Sequence, residues 1–134
     1  MTWSDKAPST AQIIRTKVSF YYHYGIFISD DEVIQFGLPT APGTPAENIK
    51  VITTDISTFL GGGELETAVP TREEKKRMRS PEDIIKIARS RIGEGGYDIL
   101  HNNCENFVND CVFGVNTSTF VESVRSQIRK KLKR

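Results

Sequence analysis

Apolar positions along this chain follow two periods. From about Lys17 to Ile28 they run nearly unbroken through Val18, Phe20, Tyr21, Tyr22, Tyr24, Ile26, Phe27 and Ile28. The run is β-branched and aromatic without clean alternation. It predicts a strand buried on both faces, or two short strands joined by a bulge. Ser29-Asp30-Asp31-Glu32 is a turn signal, and Val33-Ile34-Gln35-Phe36 returns as a partner strand, so a hairpin is predicted. Ile49 to Ile56 and Leu65 to Val69 are further strand segments. Between them, residues 37–47 hold three prolines and two glycines and read as a loop. Gly61-Gly62-Gly63 breaks the chain but is no phosphate loop, because no Gly-Lys-Ser/Thr follows. Residues 1–12 read as a loose or lightly anchored start, and residues 71–79 as a solvated charged segment.

The second period is helical. Ile84, Ile85, Ile87, Ala88 and Ile92 form a broad stripe. Ser80 caps it, Pro81 takes its first position, Asp83 stands where a capping box places an acid, and Gly93 ends it. A second helix follows the polar break Asn102-Asn103, with Phe107, Val108, Cys111 and Val112 on its apolar side. A third runs from about Ser118, with Phe120, Val121, Val124, Ile128 and Leu132 on one side. Strands followed by helices give an α+β class.

With 134 residues the chain suits one domain with one core. Hydrophobic residues make up 37% and charged residues 26%, which excludes a disordered chain. No apolar run reaches the length of a membrane span. The start, Met1 to Lys6, lacks the shape of a signal peptide, and two cysteines make no disulfide framework, so a reducing cytoplasm is the expected setting. The net charge of +1 is uneven. Residues 118–134 carry six basic residues and one acid, net +5, and the rest carries −4. That balance predicts a tail directed at a surface, with contact to an anionic membrane as one use and docking on the core as the other. It argues against a nucleic-acid partner.

Cys104 is the candidate nucleophile. Asn102-Asn103 supplies helix-capping side chains, which places Cys104 in the first turn, where free N–H groups and the helix dipole favour an anion. A thiol there is expected to be more acidic than a free cysteine. Cys111 lies seven residues on, mid-helix, and is expected in the core. A thiol nucleophile needs a base. His23 lies in the strand run beside Gly25, whereas His101 precedes the helix and is expected on a surface loop. Zinc is not expected, because neither a C-x-x-C nor an H-x-x-x-H spacing occurs.

Two segments together resemble the lecithin:retinol acyltransferase family of the permuted papain-like NlpC superfamily. They are His23-Tyr24-Gly25-Ile26-Phe27-Ile28-Ser29-Asp30 with Val33-Ile34-Gln35, and Asn103-Cys104-Glu105-Asn106-Phe107-Val108. The resemblance implies a papain-like domain over residues 15–117, after an extension at 1–14 and before a basic amphipathic helix at 118–134. It implies an antiparallel sheet packed against the Cys104 helix. It makes Cys104 the nucleophile, His23 the base and Gln35 the residue that orients His23. Gln35 stands where many members have a second histidine, and Asn106 replaces the usual histidine after Cys-Glu. The implied activity is acyl transfer or hydrolysis on an ester or amide, a phospholipid among the candidate donors, without a cofactor. A peptidase or amidase, or a non-catalytic interaction module on the same fold, is the alternative.

Spacing alone does not join Gln35 to His23. A three-residue turn at Asp30-Asp31-Glu32 sets Gln35 opposite Phe27, and a two-residue turn puts Gln35 and His23 on opposite faces. A bulge or strong twist is required to bring them together.

Overall fold

The computed structural model describes residues 1–38, 44–99 and 101–114. Six strands form one sheet: β1 (Thr2–Ser4), β2 (Gln12–Val18), β3 (Tyr21–Ser29), β4 (Glu32–Phe36), β5 (Val51–Thr54) and β6 (Glu66–Val69). Their order across the sheet is β1-β6-β2-β3-β4-β5, and every neighbouring pair is antiparallel. Among the described residues four α-helices accompany it: α1 (Ile56–Leu60), α2 (Arg72–Arg77), α3 (Pro81–Ser90) and α4 (Cys104–Phe113). The fold is therefore α+β, and α4 packs on β3 and β4.

The absence of alternation in β3 has a simple cause. Both faces of the strand are covered. Tyr24, Ile26 and Ile28 pack with Ile34, Phe36 and Val51 beneath α3 and α4, through Ile84, Ala88, Phe107, Val108 and Val112. On the other face, Phe27 packs with Ile14, Val33 and Phe59 of α1. The long apolar run is two strands joined by the turn Ser19-Phe20, where Ser19 adopts the left-handed conformation at φ +58°.

The start of the chain is anchored rather than loose. Thr2–Ser4 pairs with β6, and Ile13 and Ile14 are buried in the core. The Arg15 guanidinium lies between the rings of Trp3 and Tyr22, 4.0 and 3.8 Å from their centroids, and pairs with Glu66 at 2.9 Å. Residues 1–14, expected as an extension, thus supply an edge strand and part of β2. The segment 71–79 is charged as expected, but it includes a helix held by a capping box between Thr71 and Glu74, and Met78 and Arg79 are half-buried against the core and the end of α4.

The N-terminal signals Ser80 and Pro81 hold at α3, whereas the helix ends at Ser90 with Arg91 as its C-cap, short of Gly93. Ser80 accepts the Asp83 backbone N–H, Pro81 opens the helix, and Ile84 and Ala88 face the core. Ile92 lies beyond the helix end and is exposed. The helix expected at 118–134 lies outside the described residues.

Candidate active site

The β3–β4 hairpin turns through two residues, Asp30 and Asp31, with Ser29 opposite Glu32. Continued regularly, that register would set Gln35 opposite Ile26 and send its side chain to the α3–α4 face. The register instead shifts between Phe27 and Ser29, leaving Ile28 as the extra residue. Gln35 then pairs with Gly25. His23 lies two residues along on the same face, a diagonal neighbour within side-chain reach. Gln35 Oε1 accepts from His23 Nε2 at 2.6 Å.

The rest of the His23 pocket comes from β5 and α1. Gln35 Nε2 donates to Thr54 Oγ1 at 2.7 Å. Phe59 stacks on the imidazole with ring centroids 5.2 Å apart and an interplanar angle of 31°. α1 holds Phe59 there because Asp55 caps it by accepting the Thr58 N–H and Gly61 ends it in the left-handed conformation. His23 and Gln35 are both buried. Burial lowers the imidazole to about 4, with the Gln35 bond acting the other way. His23 is therefore neutral at physiological pH.

Cys104 is the first residue of α4. Asn103 caps the helix reciprocally with Asn106: each backbone N–H donates to the other's side-chain oxygen at 2.9 Å. Backbone N–H groups of Tyr24, Glu105 and Cys104 itself are directed at the thiol. The Tyr24 amide reaches it because β4 pairs with β3 only as far as Gly25, so His23 and Tyr24 overhang it. The thiol packs with Tyr24 in the cluster beneath α3 and α4. Among the described residues, no hydrogen bond links the thiol to His23.

Helix-start acidity does not prevail at this thiol. Burial pushes Cys104 up to about 11, and Glu105 adds to the rise, against the three N–H groups that lower it. The expectation of an acidic thiol is corrected accordingly. A closed site removes the water that would solvate a thiolate, and partial charges at one helix end do not replace it. Tyr97 lies close enough to Cys104 and Tyr21 to respond to their charges, and burial carries its hydroxyl to about 12.

The family model for lecithin retinol acyltransferase matches residues 6–117. The chain belongs to the lecithin retinol acyltransferase family. No individual curated protein matches it significantly. The family match includes all three predicted site residues and runs from just before β2 to just past α4.

Gln35 and Asn106 each have a physical role in the structure. Gln35 supplies the acceptor for His23, and Asn106 supplies half of the cap in front of Cys104. Cys111 is fully buried in the core and His101 is exposed beside Asp98, both as expected. Two neighbours of His23 escape the sequence reading, Thr54 and Phe59. For Phe59 a signal exists: Asp55 and Gly61 bracket α1 as cap and stop, but Ile56 also extends the apolar run of β5. Thr54 carries no sequence signal of its own.

Proposed function

We propose that this protein is a cysteine-dependent acyltransferase or hydrolase with a papain-like arrangement of helix-borne thiol and strand-borne histidine. The observation that carries the reading is the 2.6 Å bond from His23 Nε2 to Gln35 Oε1. With that nitrogen donating, Nδ1 is the basic one. Family membership and the three N–H groups around the thiol support the same reading.

In this mechanism His23 Nδ1 takes the Cys104 proton as Sγ attacks the carbonyl carbon of an ester or amide. The Cys104 N–H stabilises the oxyanion. The intermediate collapses, His23 returns its proton to the leaving alcohol or amine, and an acyl-thioester is left on Cys104. Water, an alcohol or an amine then removes the acyl group. Because both partners are neutral at rest, the proton moves during attack and no thiolate–imidazolium pair stands ready beforehand.

A phospholipid is the favoured acyl donor, and the +5 charge of residues 118–134 suits contact with an anionic bilayer at the cytoplasmic face. No helix among the described residues is long and apolar enough to cross a membrane. The test is incubation with a panel of phospholipid vesicles, short-chain aryl esters and peptide amides, in wild type, Cys104→Ala and His23→Ala. The reading expects turnover of esters that both substitutions abolish. Turnover of peptide amides alone identifies a peptidase instead. The burial that pushes the Cys104 thiol up to about 11 favours one rival, a non-catalytic interaction module, and that rival expects no turnover of any panel member.

A further inference from the structure

We propose that Thr54 is a positioning residue that fixes the tautomer of His23 through Gln35. The inference deepens the catalytic reading and rests on it for its functional consequence. The chain of bonds has a direction. Thr54 Oγ1 donates its one hydrogen to the Asp55 carbonyl at 3.0 Å. Its oxygen therefore meets Gln35 as an acceptor, and only the amide nitrogen of Gln35 can donate to it, at 2.7 Å. That choice turns Gln35 Oε1 toward His23, and a carbonyl oxygen accepts only from a protonated ring nitrogen. The Nε2–H form follows, with the lone pair on Nδ1.

A histidine at position 35 would carry its own tautomer, but a glutamine can flip end for end. Flipped, it presents N–H to Nε2, and the proton of His23 moves to Nδ1, where it blocks the proposed base. Thr54 is what separates the two states, because it holds the amide nitrogen of a Gln35 that is wholly buried. The anchor is itself tied down, because the Asp55 carbonyl that holds the Thr54 hydrogen also accepts the Phe59 N–H of α1.

The experiment is long-range ¹H–¹⁵N correlation NMR of the intact protein at neutral to mildly alkaline pH, which reports which ring nitrogen carries the proton. Wild type and Thr54→Ser are expected to show His23 purely as Nε2–H. Thr54→Val is expected to show a mixture or the Nδ1–H form, with a matching loss of ester turnover that Thr54→Ser does not suffer. Thr54→Ala replaces it if the valine variant is unfolded. A wild-type His23 protonated on Nδ1 overturns the proposal, as does a pure Nε2–H signal in both hydroxyl-free variants. The tautomer is read without any substrate. Nε2–H that depends on Thr54, in a protein inactive on every ester, sustains this inference while the catalytic reading fails.

Discussion

Phe59 occupies the space that a side chain on Gly25 would need. A Cβ at position 25 would come within 2.8 Å of Phe59 Cε2 and 3.1 Å of Val33 Cγ1. The glycine two residues after His23 thus admits the ring that stacks on the imidazole. Gly25→Ala is expected to cost about 1–3 kcal/mol by overpacking and to displace Phe59 from His23. Urea unfolding measures the first effect. Adding Phe59→Leu should recover part of the stability but not the position of the ring.

Stability should fall in mild acid because His23 is buried in its neutral form. Its folded value of about 4 lies below the ordinary 6.5. Above 6.5 neither state binds the proton. Between those values only the unfolded chain does, so unfolding gains as the pH drops. The full difference is about 3 kcal/mol by pH 4. Urea melts of wild type and His23→Gln across this range isolate the contribution, and the variant should show a correspondingly shallower slope.

Removing the cap in front of Cys104 should loosen the helix start. Asn103→Ala is expected to lower stability by about 1–2 kcal/mol, read as a drop of several degrees in Tm. Asn106→Ala should cost less, because Asn103 still accepts the position-106 N–H. Hydrogen exchange at the amides of residues 104–106 should rise in both.

The two thiols should separate by access, since burial pushes both up to about 11. Iodoacetamide should label Cys104 slowly at neutral pH and faster as the medium becomes alkaline, without a plateau near neutrality. Cys111, shut in the core, should label only on unfolding. Peptide mapping distinguishes them. A neutral-pH plateau at Cys104 would show a preformed ion pair and contradict the neutral resting state.

What the sequence makes legible here is local. Ser80-Pro81 and Asn103-Cys104 announce their helices because a cap needs only three or four neighbouring residues. The β3–β4 hairpin is legible for the same reason. β1 is not, because its partners lie at residues 67–69, across most of the domain. The Ser19-Phe20 turn uses a left-handed serine and carries none of the usual turn residues except that serine. The His23–Gln35 contact depends on the bulge at Ile28, which leaves no mark in the local pattern. The acidity of Cys104 misleads for a related reason: the helix dipole is local, whereas the desolvation that outweighs it comes from packing against β3.

In the proposed mechanism Cys104 takes up an acyl group with His23 as its base. Intact-mass spectrometry after brief mixing with an activated short-chain ester at neutral pH tests it most directly. One acyl adduct is expected, mapped to Cys104, that forms far more slowly in His23→Ala and not at all in Cys104→Ala. No adduct on wild type, or one that forms equally fast without His23, would contradict it.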